Sequence, residues 1–200
     1  MTKTIVFDFG GVLMDWNPRY LYSKIFSDED GMEFFLRDIC SPSWNASTDL
    51  EKSFQDAMDE LVPLHPEYED QIKVYFPRWL EMVRDVFPGT IEILKELKVA
   101  GYPLAALSNW SSETFPIVMD KYEFLGWFKP LVISGHVGYA KPDPEIYQIL
   151  LYELGREARD CVFVDDKEEN IQEAERQGFD TILFSSPDQL RESLNKKGIL

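Results

Sequence analysis

Carboxylate, hydroxyl and ammonium groups follow short apolar runs at four places in this sequence. The groups are Asp8, then Ser108 with Asn109, then Lys141, and finally the acidic pair Asp165 and Asp166. The runs have the length of β-strands. In an open sheet of parallel strands the ligand site lies beyond the carboxyl ends of the strands, so we expect these groups to meet in space although they are far apart in the chain.

The residue types favour phosphoryl transfer with a magnesium ion. Mg²⁺ prefers hard oxygen ligands, which Asp8 and the acidic pair can supply. The Ser108 hydroxyl and the Lys141 ammonium can bind a phosphoryl group, together with Asn109. Asp8 can then attack phosphorus and form a covalent aspartyl-phosphate. We therefore predict Asp8, Ser108 and Lys141 as the catalytic residues.

The elements that must position these groups alternate between strands and helices. Apolar runs of strand length lie at 4–9, 103–107, 131–134, 161–164 and 181–184. Helical patterns lie at 88–100, 142–154 and 167–177, and each of them is followed by a glycine. Strands that alternate with helices at this spacing predict an α/β fold with a doubly wound, Rossmann-like parallel sheet.

The long interval between the first two strands breaks this alternation. It carries amphipathic helical patterns at 19–26, 29–39, 48–61 and 67–86, with a loop expected at 40–47. We predict an all-helical cap of residues 16–86, inserted into a catalytic core of residues 1–15 and 87–200. A further group of side chains opens the cap or lies on its loop, where these residues either pack or contact a substrate: Trp16, Asn17, Arg19, Trp44 and Asn45.

Composition restricts the possible partners. The chain has 200 residues, of which 44% are hydrophobic and 28% charged, and this excludes a disordered or fibrous protein. Its formal net charge of −16 argues against nucleic acid as a partner, because the chain repels phosphate backbones at long range. The first apolar run is too short for a signal peptide, and no run is long enough to span a membrane. We expect a cytoplasmic monomer or homodimer that binds a small phosphorylated molecule and no membrane.

Four motifs resemble those of the haloacid dehalogenase-like hydrolase superfamily, in the subgroup with a helical cap after the first strand. They are VFDFGGVL at 6–13, LSN at 107–109, AKPDP at 140–144, and VDD at 164–166 followed by Asn170. The resemblance implies a Mg²⁺-dependent hydrolase in which Asp8 is the nucleophile and Ser108 binds phosphate. It also implies metal binding by Asp8, Asp165, Asp166 and the backbone carbonyl of Gly10.

The chain departs from the family pattern at Gly10. In phosphatases of this family the residue two positions after the nucleophile is usually a second Asp, which protonates the leaving group. The present chain is most similar to glucose-1-phosphate phosphatases, some of which also have Gly there. General acid catalysis contributes about 10²–10⁴-fold to a rate, so we predict a steep dependence of the rate on leaving-group pKa. The alternative is another proton donor, either Asp15 or a group in the cap.

Three functions stay open at this point. We favour a phosphatase of a small metabolite of the sugar phosphate class. The second is a 2-haloacid dehalogenase, in which Asp8 attacks carbon. Gly10 is compatible with that reaction, but Asp165 and Asp166 would then be unneeded carboxylates that raise the pKa of the nucleophile. The third is a catalytically impaired binding or regulatory protein that keeps the fold.

Overall fold

The computed structural model describes residues 2–50 and 52–200. Its strands are β1 (Thr4–Phe7), β2 (Met14–Trp16), β3 (Val83–Val86), β4 (Leu104–Ser108), β5 (Leu131–Ile133), β6 (Cys161–Asp165) and β7 (Asp180–Leu183). Five of these strands form a parallel sheet in the order β5-β4-β1-β6-β7, with β1 at its centre. The doubly wound sheet that the sequence predicts is therefore confirmed, with small shifts at the strand ends.

Helices cover both faces of this sheet and fill the long interval after β1. They are α1 (Arg19–Tyr22), α2 (Glu29–Phe34), α3 (Pro42–Thr48), α4 (Phe54–Leu61), α5 (Glu69–Lys73), α6 (Pro88–Val99), α7 (Phe115–Lys121), α8 (Ser134–Val137), α9 (Pro144–Leu154), α10 (Glu168–Gln177) and α11 (Pro187–Lys196). The helices predicted at 88–100, 142–154 and 167–177 are confirmed as α6, α9 and α10. Within the described part of the chain, every helix is too short or too polar to cross a membrane.

Alternate side chains of the buried strands pack on opposite faces of the sheet. Phe7 belongs to the core cluster that includes Leu94 of α6 and Leu190 of α11. Val6 belongs to a second cluster, which includes Ile146 of α9 and residues of α10. Because helices cover both faces of a parallel sheet, its strands are apolar along their whole length, and this makes them recognisable in the sequence.

A pair of short strands marks the point where the helical insertion leaves and rejoins the core. β2 and β3 are antiparallel, and Met14 pairs with Val86. Of the helix predicted at 67–86, only Glu69–Lys73 is α-helical, as α5. The prediction is wrong for the rest, and Val83–Val86 is a strand; β2 was not predicted at all. Val83 and Val86 are three residues apart, which also fits a helix, so pairing with the distant β2 decides the conformation.

The loop predicted at 40–47 is also wrong, because α3 occupies Pro42–Thr48. The hydroxyl of Ser41 accepts a hydrogen bond from the Trp44 backbone N–H at 3.2 Å, and Pro42 stands in the first turn. Both are ordinary signals of a helix start. The polar, proline-containing composition of residues 40–47 is typical of loops, and for that reason the sequence predicts a loop in spite of these two signals.

Candidate active site

The carboxyl ends of three neighbouring strands bring the predicted side chains together. Asp8 follows β1, while Ser108 ends β4 and Asp165 ends β6, the two strands that pair with β1. Lys141 lies in the loop before α9, and Asn109 fixes its backbone. The Lys141 N–H donates to Asn109 Oδ1 at 2.7 Å, and Asn109 Nδ2 donates to the Lys141 carbonyl at 2.8 Å. Asn109 therefore positions Lys141 at the end of β4.

The two oxygens of the Asp8 carboxylate have different surroundings. Oδ1 accepts hydrogen bonds from the Phe9 backbone N–H at 2.7 Å and from Ser108 Oγ at 2.6 Å, and Lys141 Nζ lies 3.0 Å from it. Among the residues that the structure describes, no hydrogen-bond donor contacts Oδ2. One oxygen is thus held in place by three groups, and the other is available for attack on a substrate or for a cation.

Lys141 connects Asp8 to Asp165 in the interior of the protein. Its side chain is fully buried, and Nζ lies 2.6 Å from Asp165 Oδ2. Asp165 is also fully buried and accepts hydrogen bonds from the Asn170 amide at 3.0 and 3.1 Å and from the Lys167 backbone N–H at 2.8 Å. These donors engage both oxygens of Asp165, so this carboxylate fixes the position of the ammonium group.

Burial and crowding of like charges perturb the pKa values of these groups. Burial raises the pKa of Asp8 from its ordinary 3.8 to about 6; Lys141 opposes the rise and Asp165 adds to it. Burial disfavours the charged form of Lys141, but Asp165 and Asp8 outweigh this effect, so the pKa of Lys141 lies above its ordinary value. Partial burial, followed by the charge of Asp165, also raises the pKa of Asp166. The site therefore holds more negative than positive charge.

The acidic cluster has the donor set that Mg²⁺ requires. Asp8, Asp165 and Asp166 each offer a carboxylate oxygen, and the three oxygens lie within 4.8 Å of one another. Gly11 has a φ of +75°, and a Cβ there would overlap the Asp166 carboxylate, so this close approach requires glycine. Gly10 lies beside the cluster, where a Cβ would meet no atom within 4 Å. The residues present fit the predicted metal.

A cavity of about 620 Å³ adjoins Asp8 between the core and the helical insertion. Asp166, Lys141 and Asn109 line this cavity together with several aromatic side chains, among them Trp16, Tyr75, Trp79 and Trp110. The predicted contact residues Trp16, Arg19 and Asn45 line this cavity. The other two do not: Asn17 accepts a hydrogen bond from the Arg19 backbone N–H, and Trp44 Nε1 donates to the Ala57 carbonyl.

Asp49, which lies in none of the sequence motifs, also lines the cavity. Burial raises its pKa from 3.8 to about 7; Lys167 and the Ser111 backbone N–H oppose this rise, and Asp8 adds to it. Asp15, the alternative proton donor named from the sequence, lies outside the cavity on β2 and accepts hydrogen bonds from Tyr20 Oη at 2.9 and 3.0 Å. No local signal distinguishes Asp49, because its place depends on how the insertion packs on the core.

The chain belongs to the haloacid dehalogenase-like hydrolase family, whose model matches residues 2–178. Sesquiterpene phosphatase astK of Aspergillus oryzae is 26% identical over 176 residues, which cover 88% of this chain and 86% of that protein. Flavin mononucleotide hydrolase 1 of Arabidopsis thaliana is 31% identical over 111 residues, which cover 56% of this chain and 45% of that protein. The chain therefore spans less than half the length of the second relative.

A solved structure shows the same fold. It is a haloacid dehalogenase family enzyme of Bacteroides thetaiotaomicron, in complex with magnesium and inorganic phosphate. The TM-score is 0.69 at 20% sequence identity, and the match covers 93% of this chain and 96% of that one. The parallel sheet with its helical insertion, expected from the sequence motifs, is the architecture of this family.

Proposed function

We propose that the chain is a Mg²⁺-dependent phosphatase that hydrolyses a small phosphorylated metabolite through an aspartyl-phosphate on Asp8. The geometry around Asp8 carries this proposal. One carboxylate oxygen is held by Ser108, Lys141 and a backbone N–H, and the residue lines a cavity beside Asp166. The names of two relatives, a sesquiterpene phosphatase and a flavin mononucleotide hydrolase, support cleavage of phosphate esters as the reaction class.

Each residue has a separate task in this mechanism. Asp8 attacks phosphorus as the bond to the leaving oxygen breaks, and water then hydrolyses the aspartyl-phosphate. Ser108 and Lys141 bind oxygens of the transferring group and stabilise its charge, and Asn109 lies beside them. Mg²⁺, when bound, would supply positive charge beside the transferring phosphoryl group.

The metal would be held by Asp8, Asp166 and the Gly10 carbonyl. Asp165, which the sequence also predicts as a ligand, has both oxygens engaged by Lys141, Asn170 and the Lys167 backbone. We therefore assign Asp165 to the positioning of Lys141. A carboxylate with four hydrogen-bond contacts would have to give one of them up before it could ligate a cation directly.

The cavity lining supports a substrate of the sugar phosphate class. Aromatic faces such as those of Trp16 and Trp79 can pack on the apolar face of a sugar ring. Asn45 and Arg19 add hydrogen-bonding groups at the same cavity. A volume of about 620 Å³ is within the range of small-molecule sites. We propose that the insertion, predicted as residues 16–86, sets the choice of substrate.

The test is a hydrolysis screen of sugar phosphates, flavin mononucleotide, a sesquiterpenyl phosphate and p-nitrophenyl phosphate, with Mg²⁺ or with EDTA. We expect hydrolysis with Mg²⁺, loss of activity in EDTA, and at least about 10³-fold lower kcat for Asp8→Asn, since amide nitrogen and oxygen are poor nucleophiles. Turnover that persists in Asp8→Asn would contradict the aspartyl-phosphate. Activity unchanged after exhaustive chelation would contradict the metal assignment.

Two controls separate this proposal from its alternatives. Halide release from 2-chloropropionate tests the dehalogenase reaction in the same preparations. Calorimetric titration with Mg²⁺ compares the wild type with Asp166→Asn, which should bind the ion more weakly because one carboxylate of the cluster loses its charge. A protein that folds, binds Mg²⁺ and cleaves neither kind of substrate would instead be a binding or regulatory member of the family.

A further inference from the structure

Hydrolysis of an alkyl phosphate requires a proton for the departing oxygen. Without it the leaving group is an alkoxide, which is strongly basic and departs slowly. Position 10, next to the nucleophile in the cavity, is a glycine and offers no proton. If the proposed function is correct, another group that faces the cavity must supply the proton, or the chain must be restricted to esters with acidic leaving groups.

Among the residues that the structure describes (2–50 and 52–200), four carboxyl side chains line the cavity: Asp8, Glu33, Asp49 and Asp166. Asp8 is the nucleophile and Asp166 belongs to the metal cluster. Arg19 donates to both oxygens of Glu33, at 2.5 and 2.6 Å, and this lowers the pKa of Glu33, which stays charged. Asp49 is the remaining carboxyl of the four.

The other acidic side chains at the cavity are poorer donors. Tyr75 Oη already donates to Asn45 Oδ1 at 2.7 Å, and burial raises the pKa of this phenol well above its ordinary value. Burial also raises the pKa of the Cys40 thiol. General acids work best when their pKa lies near the working pH, so both groups hold their protons too tightly for efficient exchange.

Hydrogen bonds between the insertion and the core fix the segment that carries Asp49. Ser134 Oγ, at the start of α8, donates to the Asp49 backbone carbonyl. A few residues further along, the Phe54 backbone N–H donates to Glu113 Oε2 at 2.6 Å. Ser134 Oγ in turn accepts from the Trp110 backbone N–H at 2.9 Å. Hydrogen bonds to the core at Asp49 itself and at Phe54 can hold a catalytic side chain with the precision that proton transfer requires.

We propose that Asp49 is the general acid and general base of the phosphatase reaction, acting from the insertion's side of the cavity that contains Asp8. In the first step an Asp8 oxygen bonds to phosphorus, the bond from phosphorus to the ester oxygen breaks, and that oxygen takes the proton of Asp49. In the second step Asp49 takes a proton from water as the water oxygen bonds to phosphorus and the bond to Asp8 breaks. Asp49 and Asp8 thus return to their starting states, with alcohol and phosphate released.

The charges around Asp49 suit this double role. Its pKa of about 7 allows the protonated and ionised forms to coexist near neutral pH. Lys167 is the cation that favours ionisation, and Asp8 is the anion that opposes it. The first step itself leaves Asp49 ionised, because its proton goes to the leaving oxygen, and this is the proton-accepting form needed in the second step.

The experiment compares p-nitrophenyl, phenyl and benzyl phosphate, which share an aromatic ring but differ steeply in leaving-group basicity. The variants are Asp49→Asn, Asp49→Glu and, as a matched control, Asp59→Asn on the exposed face of α4. We expect Asp49→Asn to lower kcat/KM on benzyl phosphate by about 10²–10⁴-fold and on p-nitrophenyl phosphate by less than about tenfold. Asp49→Glu should recover part of the loss, and Asp59→Asn should stay within about twofold of the wild type.

A second variant makes the outcome independent of any local damage at position 49. Since a Cβ at Gly10 meets no atom within 4 Å, Gly10→Asp can place a carboxyl beside the nucleophile. In the Asp49→Asn background it should restore benzyl phosphate hydrolysis more than p-nitrophenyl phosphate hydrolysis. With Gly10 and no other proton donor, kcat/KM should depend steeply on leaving-group pKa. We therefore expect a steep dependence in Asp49→Asn and a shallow one in the wild type, where Asp49 donates the proton.

The possible failures are distinguishable. Equal losses on all three esters in Asp49→Asn, or no loss, would overturn the role of Asp49 while leaving the phosphatase proposal intact. A steep dependence of kcat/KM on leaving-group pKa in the wild type would also overturn the role of Asp49. If the wild type cleaves none of these esters and none of the phosphates in the hydrolysis screen, or if Asp8→Asn cleaves them equally well, the proposed function is wrong and this inference with it.

Discussion

Replacing Lys141 by Met removes the buried cation that Asp8 and Asp165 share. Methionine has nearly the same length and fits the same space, so the main change is the lost charge. At the observed separations of 2.6 and 3.0 Å, the gross attraction of each pair is about 5.5–6.5 kcal/mol at an effective dielectric constant near 20. Loss of one partner from a buried pair costs about 3–5 kcal/mol, because the remaining charge stays buried without compensation.

We expect Lys141→Met to lower the free energy of unfolding by about 3–5 kcal/mol at pH 7.5. For a chain of this size that corresponds to a fall in Tm of about 6–20 °C. The assay is urea and thermal unfolding in EDTA between pH 5 and pH 8. Without the ammonium, which opposes the rise in the pKa of Asp8, that pKa rises further, so the folded variant binds more protons than the unfolded chain. Its stability therefore falls as the pH rises, and its deficit relative to the wild type grows from pH 5 to pH 8.

The matched control is Lys95→Met, the same substitution at an exposed position of α6. It should change the free energy of unfolding by no more than about 0.5 kcal/mol at any pH. A Tm of Lys141→Met within about 3 °C of the wild type at pH 7.5 would refute the reasoning, since that is less than the expected cost allows. A larger deficit at pH 5 than at pH 8 would refute it as well.

Two further predictions concern stability. Asp49 loses its proton near pH 3.8 in the unfolded chain and near pH 7 in the folded one, so it destabilises the fold increasingly across that interval. In urea unfolding, Asp49→Asn should therefore be more stable than the wild type by about 2–4 kcal/mol at pH 8 and equally stable below pH 4. A difference in stability that does not change with pH would contradict the raised pKa of Asp49. Gly11→Ala should cost about 2–4 kcal/mol and weaken Mg²⁺ binding, because it adds overlap with Asp166 to left-handed backbone strain. Gly101→Ala is the control, because Gly101 has a φ of +80° and open space around the added Cβ. It should cost about 1–2 kcal/mol from backbone strain alone. Equal losses of stability in Gly11→Ala and Gly101→Ala would argue against the overlap with Asp166.

The parts of the fold that were predictable from sequence are those that local pattern determines. β1, β4 and β6 are buried on both faces, so they appear as apolar runs, and parallel pairing places the residues at their ends side by side. Asp8, Ser108 and Asp165 meet for that reason. The insertion was predictable only as helical. Its strand β3 depends on pairing with β2, and this pairing is not visible in the residues 83–86 themselves.

The parts of the site that were not predictable depend on contacts between distant segments. Asp49 reaches the cavity because Ser134 of the core donates to its backbone carbonyl, and no motif near residue 49 signals that contact. Likewise, the sequence indicates Asn109 as a ligand of substrate, but its two hydrogen bonds to Lys141 show a structural task. Polar residues that hold other polar residues leave no periodic pattern, so their roles become visible only in three dimensions.

The distribution of charge decides how this site can accept a phosphate ester. Asp8, Asp165 and Asp166 place three carboxylates around the buried ammonium of Lys141, on a chain with a net charge of −16. The raised pKa values of Asp8 and Asp166 express the same excess of negative charge. A divalent cation would lower the pKa of the carboxylates that it contacts and would attract the ester. We therefore expect Mg²⁺ and the phosphate group to bind with positive linkage, so that each increases the affinity for the other. By lowering the pKa of Asp8 from about 6, a bound cation would keep this carboxylate ionised at a lower pH than the protein alone does.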